Sequence, residues 1–210
     1  MVLGLYGLAA AKQFHVLNPD SSLAVFDGDA TLGGTWASHR LYGGLKSNNL
    51  LGTYEYPDFP MDPSVFNVQP RKHVPGEVMH DYLEAYARNF GIFPLIRFNN
   101  RVTVAEHQED SAEGGWKLTV TSSNSGIEST VFARQLIVAS GVTSEPRLLS
   151  FKGQESFGRP ILHGKDFHQK RDAMNKAKIV TVVGGSKYAW DVMYACATTG
   201  VKVNWVIRGA

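Results

Sequence analysis

Apolar and polar positions near the C-terminus follow the order of a strand, a tight turn, a helix and a second strand. The β-branched run at 179–183 leads into Gly184 and Gly185, a helical stretch follows, and a second apolar run occupies 201–207. Short β-branched runs are typical of buried parallel strands, and Gly200 is a suitable residue to end the helix. We therefore expect a complete parallel β-α-β unit here.

A shorter version of the same pattern opens the chain. Gly4 and Gly7 precede a strong helix-forming run at 8–12, and a strand candidate at 23–26 ends at Asp27. A dinucleotide fingerprint has this order, with an acid about 20 residues after its glycines. Val2 stands where the first glycine of the fingerprint falls, and no strand precedes it. We expect a fold truncated at both ends.

Between these units the pattern predicts a helix, a hairpin and one more strand. Apolar positions at helical spacing favour a helix over 75–89, with Gly91 as its C-terminal cap. Alternating residues at 116–121 and an extended run at 130–133 flank a polar turn, which predicts a hairpin. The run at 136–139 is expected to form a buried parallel strand. The predicted class is α/β, with parallel sheets and a small antiparallel β-layer.

Composition excludes several classes of function. The 210 residues carry a net charge of +2 and scattered Lys and Arg, which argues against a nucleic-acid partner. No apolar run approaches the roughly 20 residues needed to span a bilayer. A single cysteine, Cys196, excludes an internal disulfide framework and fits a reducing, cytoplasmic location. We predict no metal site.

The first glycine turn predicts binding of a dinucleotide. Gly4 would let the backbone approach a pyrophosphate, and Gly7 would let the helix pack closely on a strand. The helix N-terminus offers free N–H groups to the phosphates. Asp27 would accept hydrogen bonds from the ribose hydroxyls. Helix–strand packing alone can require the same glycines, and that alternative stays open here.

The second turn predicts NADP. Gly184 begins the turn, and Ser186 and Ala189 are small residues at the other two glycine positions of the fingerprint. Arg208 follows the second strand, where a protein that prefers NAD would carry an acid. An arginine can pair with the 2′-phosphate of NADP. The alternative is an arginine that serves only solubility.

Several short segments resemble the flavin-containing monooxygenases, especially their fungal members. A Gly-Gly-x-Trp segment, an Asn-bearing loop and an Asp-Phe-Pro stretch occur here in the order of that family, at 33–36, 46–49 and 58–60. The resemblance implies that Asn48 is the active-site asparagine, with Asn49 as the fallback. A turn cap is the plain alternative for both asparagines. The resemblance also implies cofactor contacts from Gly34, Trp36, Arg40, Ser140 and Gly141.

A further family signature, F-x-G-x-x-x-H followed by an aromatic, is matched by Phe157, His163 and Phe167. Arg159 stands at its glycine position, and Gly158 lies one residue earlier, so we expect the local turn to differ. We call residues 157–167, which carry this signature, the linker. His163 is expected to hold the linker in place by hydrogen bonding. A proton-transfer role is the alternative.

The resemblance implies a flavoprotein with two dinucleotide-binding domains: an FAD-binding domain at 1–145 without its first strand, and the start of an NADP-binding domain at 146–210. It implies an FAD- and NADPH-dependent monooxygenase that works through a C4a-hydroperoxyflavin. The expected reactants are molecular oxygen and a small nucleophilic or carbonyl substrate, in N- or S-oxygenation or a Baeyer–Villiger reaction.

Three alternative functions share parts of this two-nucleotide pattern. A pyridine nucleotide–disulfide reductase needs a redox cysteine pair, which one cysteine excludes. A pyridine nucleotide-dependent flavin reductase would use the same two cofactors without oxygenating a substrate. A truncated, non-catalytic fragment that binds nucleotides, or a remnant of a longer gene, is the remaining alternative.

Overall fold

The computed structural model describes residues 3–109, 114–141 and 146–208. Helices in these ranges are α1 (Leu5–Leu17), α2 (Pro63–Phe66), α3 (Gly76–Asn89), α4 (Phe167–Asn175) and α5 (Lys187–Thr198). Strands are β1 (Val25–Phe26), β2 (Lys46–Leu50), β3 (His73–Pro75), β4 (Ile96–Arg97), β5 (Asn100–His107), β6 (Trp116–Ser122), β7 (Glu128–Ala133), β8 (Ile179–Val183) and β9 (Lys202–Val206).

The strands combine parallel and antiparallel pairing, as the predicted α/β class requires. β1 pairs with β4 and β8 pairs with β9, both in parallel, whereas β2 and β3 are antiparallel. β5, β6 and β7 form an antiparallel sheet of three strands. The predicted hairpin is its β6–β7 part, and strands β4 and β5 have no counterpart among the predicted elements.

The C-terminal β-α-β unit is present as predicted. β8 leads through Gly184, which has a φ of 122°, into α5, and Gly200, with a φ of 81°, follows that helix. The register of the parallel pair brings Val183 opposite Val206. The carboxyl ends of both strands therefore lie at the same edge of the sheet, where ligands of open α/β sheets bind.

The core of the N-terminal part is built around α3. This helix buries Met79, Tyr82, Leu83 and Tyr86, which are spaced three and four residues apart and so share one face. The Tyr82 hydroxyl accepts the Tyr56 N–H and donates to the Phe59 carbonyl, each over 2.6 Å. Gly91 has a φ of 70°, consistent with its predicted place just beyond the helix end.

One predicted strand was wrong. Residues 135–141 form no strand, and Ile137 and Val138 are 45% and 71% exposed. A buried parallel strand needs a neighbouring ladder, but the nearby β1–β4 sheet holds two strands only among the described residues. The apolar pattern by itself could not reveal this.

The predicted division into 1–145 and 146–210 stays a prediction, since the boundary falls beside residues 142–145, outside the described ranges. No helix in the described part of the chain combines the length and the apolar character needed to cross a bilayer.

Candidate functional site

Leu3 joins the first glycine turn to the end of β1. Its backbone N–H donates to Asp27 Oδ2 over 2.7 Å, and its carbonyl accepts the Gly33 N–H over 2.7 Å. Gly4 follows as the N-cap of α1, and a Cβ at Gly4 would lie 3.9 Å from the Gly33 oxygen and the Gly34 Cα. The sequence-predicted residues Gly4, Asp27 and Gly34 are thus brought together. Val2 lies outside the described residues.

Asp27 is buried beneath this turn. It has 0% exposed surface, and its second oxygen, Oδ1, accepts the Asp29 N–H over 3.0 Å. An ionised carboxylate can accept about four hydrogen bonds, so acceptor capacity remains. The structure nevertheless does not expose the side chain to a ligand. The ribose-binding role of Asp27 stays a prediction.

Burial raises the pKa of Asp27 from 3.8 to about 6, against the opposing effect of the N–H groups of Asp29 and Leu3. Between these two values the folded chain holds a proton that the unfolded chain has lost. The stabilisation from this group is complete below pH 3.8 and is lost as the pH rises through about 6.

We therefore expect the free energy of unfolding of the wild type, relative to Asp27→Asn, to fall by roughly 2 kcal/mol between pH 4 and 7. Urea denaturation of both proteins across that pH range measures it. A difference between the two proteins that does not change with pH would contradict the assignment.

The glycine pair after β1 adopts backbone that suits glycine. Gly33 and Gly34 have φ of 115° and 63°. Arg40 fixes this pair: its guanidinium donates to the Gly34 carbonyl over 3.1 Å and to Asp29 Oδ2 over 2.6 Å. The contacts of Arg40 are therefore structural in this chain. Binding of a cofactor by Arg40 and Gly34 remains a prediction.

Trp36 packs inward. Its indole N–H donates to the Tyr54 hydroxyl over 3.3 Å, the two rings meet edge to face, and the residue is buried. These contacts explain the tryptophan as part of the core beneath the glycine pair. A direct contact between Trp36 and a cofactor stays a prediction.

Asn48 lies on strand β2, whereas the sequence indicated a loop. The pairing between β2 and β3 is irregular between Lys46 and Leu50. Buried Ser47 holds this irregularity, because its hydroxyl accepts the Val74 N–H over 2.9 Å and donates to the Asn49 carbonyl over 2.6 Å. Irregular strand pairing of this kind redirects side chains and recurs next to active sites.

The side chain of Asn48 is exposed, and it makes no hydrogen bond to the described residues. An amide that the fold does not use is available to a ligand. Asn49 is also exposed, but its carbonyl is engaged by Ser47. The two asparagines therefore differ only in this backbone contact, and both side-chain amides are free of hydrogen bonds to the described residues. Ser47 is a supporting residue that no motif pointed to.

Ala139, in the segment that ends at Gly141, packs against Gly7 of the first glycine turn. A Cβ at Gly7 would come within 3.5 Å of the Ala139 side chain and within 2.8 Å of the Leu3 side chain. This close packing explains why position 7 carries a glycine. Ser140 and Gly141 follow directly, and Gly141 has a φ of 81°. Their predicted contact with a cofactor stays a prediction.

The second turn has open space above its glycine. A Cβ at Gly184 would meet no atom within 4 Å, although its φ of 122° favours glycine. Ser186 is the N-cap of α5 and makes no side-chain capping bond, and Ala189 is buried. Arg208 is exposed beyond β9, at the sheet edge that also carries Gly184.

Trp205 is an unanticipated residue of this turn. Its indole N–H donates to the Gly184 carbonyl over 2.7 Å, and its ring meets that of Trp190 edge to face at 4.7 Å. The bond fixes the peptide that begins the turn. An aromatic residue in a strand gave no signal of this role.

The linker signature has a structural explanation. Gly158 has a φ of 63°, so the glycine one residue early provides the turn that Arg159 cannot adopt cheaply. His163 accepts the Lys165 N–H at Nδ1 over 3.1 Å. This bond agrees with the expected structural role of His163.

A cleft of about 390 Å³ lies between the loop at 41–43 and α4. Its lining contains none of the sequence-predicted site residues, so it does not coincide with either glycine turn.

Comparison with known proteins gives a consistent result. The family model described as "FMO-like: Flavin-binding monooxygenase-like" matches residues 8–208. A protein of Pyrenophora dematioidea named "FAD-dependent monooxygenase" is 38% identical over 214 residues, covering 98% of this chain and 38% of the relative. The chain therefore spans little more than a third of that relative's length.

Solved structures share the fold. Tmm from Pelagibacter sp. superposes with a TM-score of 0.81 at 25% identity, over 100% of this chain and 50% of that protein. A cyclohexanone monooxygenase has a TM-score of 0.70 at 18% identity, over 98% of this chain and 38% of its own. The predicted family resemblance and α/β fold class are confirmed.

Proposed function

Because the chain belongs to the flavin-binding monooxygenase-like family, we propose that it binds FAD at its first glycine turn and NADP(H) at its second. The reaction is the NADPH-driven transfer of one atom of molecular oxygen to a small substrate. That substrate carries a nucleophilic nitrogen or sulfur, or a carbonyl group.

One observation carries this proposal. The chain contains two glycine turns that lead into helix N-termini, α1 and α5, and each is associated with a parallel strand pair. Helix N-termini attract phosphates through their free N–H groups and their dipole. Two such sites in one chain suit an enzyme that passes electrons from one dinucleotide to another.

The backbone of the first glycine turn is suited to binding FAD. The N-terminus of α1 has no side-chain cap, and the glycine pair at 33–34, with its positive φ angles, lies beside Gly4. Backbone N–H groups there can receive the pyrophosphate. Ser140 and Gly141 follow the segment packed on Gly7, so they border the same turn.

Bound flavin supplies the redox and oxygen chemistry, and the residues of the chain place and shield it. Gly33 and Gly34 let backbone approach the cofactor. Asn48 presents a free amide from a strand that Ser47 fixes, which suits a group that must hydrogen-bond a reacting oxygen atom.

The second turn fits NADP better than NAD. Arg208 lies at the carboxyl edge of the β8–β9 pair, where the adenosine ribose of a dinucleotide bound at Gly184 is expected. A guanidinium there can form charge-assisted hydrogen bonds with the 2′-phosphate.

Replacing Arg208 with alanine should weaken NADP⁺ binding about 10-fold and leave NAD⁺ binding nearly unchanged, because only NADP⁺ carries the 2′-phosphate. Titration calorimetry with both dinucleotides measures this. Lys202→Ala, an exposed cation at the other end of β9, is the matched control. An equal loss of affinity for both dinucleotides would remove the phosphate-pairing role.

Binding without turnover is a second candidate function. It requires only the two glycine turns, which lead into helix N-termini without side-chain caps. Isotopically labelled oxygen distinguishes the candidates, with methyl phenyl sulfide as a soft sulfur probe. Label in the sulfoxide product supports the monooxygenase. NADPH oxidation without labelled product supports a flavin reductase, and the absence of both supports binding alone.

A further inference from the structure

Asp191 connects two distant parts of the chain. Its Oδ2 accepts the Tyr42 hydroxyl over 2.7 Å and the Lys187 ammonium over 2.5 Å. Lys187 and Asp191 lie one turn apart at the start of α5, the helix that leaves the Gly184 turn. Tyr42 lies 149 residues earlier, in the loop that leads to β2. The second glycine turn is thus linked to the N-terminal part by a hydrogen bond to the Asp191 carboxyl group.

The ring of Tyr42 lies at a buried junction. It meets Phe167 edge to face, with ring centroids 5.1 Å apart, and both residues are buried. Phe167 begins α4 and is the aromatic residue of the linker signature. Gly164, just before it, packs against Tyr188 of α5, since a Cβ there would lie 3.2 Å from the Tyr188 Cβ. The linker and α5 therefore both pack near Tyr42.

Backbone hydrogen bonds connect Tyr42 to the start of β2. The Tyr42 carbonyl accepts the Leu45 N–H over 3.0 Å, and the Leu45 carbonyl accepts the Gly76 N–H over 2.9 Å. Strand β2 begins at the next residue, Lys46, two positions before Asn48. A displacement of Tyr42 would be transmitted to this strand through a short, hydrogen-bonded segment.

We propose that Tyr42 is a positioning residue, which through Asp191 holds the Gly184 turn in place against the strand that carries Asn48. The inference rests on the proposed function in one respect, namely that the Gly184 turn receives NADP(H). Burial and the hydrogen bond to Asp191 both raise the pKa of Tyr42, so its hydroxyl stays protonated and remains a donor. Lys187 forms an ion pair with Asp191 and so holds the carboxylate that accepts the Tyr42 hydroxyl.

Tyr42→Phe tests the proposal, since it removes the hydroxyl and keeps the ring against Phe167. In hydrogen–deuterium exchange of the whole chain without ligands, the amides of residues 184–190 should exchange at least about 10-fold faster. NADP⁺ affinity should fall about 10-fold, and FAD affinity should change less than about twofold, because the aromatic ring stays against Phe167 and the backbone bonds that lead to β2 are retained.

Tyr188→Phe is the matched control, because it removes a hydroxyl nearby that makes no hydrogen bond within the described ranges. Unchanged exchange at 184–190 in Tyr42→Phe, or the same acceleration in Tyr188→Phe, would overturn the proposal, as would an equal loss of affinity for FAD and NADP⁺. If Tyr42→Phe does not fold, Asp191→Ala removes the acceptor of the same bond; it should give the same faster exchange at 184–190, and unchanged exchange would overturn the proposal. A wild type that binds no NADP⁺ would refute the cofactor assignment, and the exchange result would still decide the role of Tyr42.

Discussion

Replacing Asn48 with alanine is expected to slow oxygen transfer about 100-fold and to leave FAD and NADP⁺ affinity within about twofold. The side-chain amide of Asn48 makes no hydrogen bond to the described residues, so its removal should not destabilise the fold. A positioned donor at a reacting oxygen typically contributes two to three orders of magnitude in rate. Sulfoxide formed from methyl phenyl sulfide, compared with hydrogen peroxide released, measures the effect.

Asn49→Ala is the matched control for this experiment. Asn49 is the adjacent exposed asparagine on β2, and its contact with Ser47 comes from its carbonyl, which the substitution retains. We expect its turnover to stay within about threefold of the wild type. Unchanged turnover in Asn48→Ala would remove the active-site role, and a larger loss in Asn49→Ala would transfer that role to the neighbouring residue.

Replacing Gly33 with alanine is expected to destabilise the fold by about 3 kcal/mol or more and to abolish retention of FAD. The φ of Gly33 is 115°, and a Cβ there would lie 2.9 Å from the Trp36 carbonyl carbon and 3.0 Å from the Ala37 nitrogen. Both are backbone atoms, which cannot move aside as the end of a side chain can. In Gly33→Ala, the backbone strain at positive φ adds to this steric overlap.

Gly44→Ala separates these two effects. Gly44 has a φ of 88°, but a Cβ there would meet nothing within 4 Å. It should therefore cost only the backbone strain, about 1–2 kcal/mol. Urea denaturation of both variants gives the two free energies of unfolding. Equal values would show that crowding at the glycine pair contributes nothing.

Local patterns predicted the local elements well. The β8-α5-β9 unit, α3 and the β6–β7 hairpin were anticipated because each is encoded by periodicity and turn residues within one short stretch. Strand β4 has only two residues, and its pairing with β1 reaches across 71 positions of the chain. No periodicity can be read from so short an element.

The errors arose where long-range contacts decide the structure. The run at 136–139 has the composition of a strand but not the neighbouring ladder, and it remains partly exposed. Asn48 was expected in a loop, and the pairing of β2 with β3 through Ser47 makes it part of a strand. The bond between Tyr42 and Asp191 joins residues that no motif connects.

The proposed function requires that this chain bind FAD and that NADPH reduce the bound flavin. Purified chain is mixed with FAD, freed of excess cofactor by gel filtration and examined by visible absorption before and after NADPH is added without oxygen. The proposed function predicts flavin absorption bands that bleach on addition of NADPH and return when oxygen is admitted. A colourless protein that takes up no FAD, or flavin bands that NADPH leaves unchanged, would contradict it.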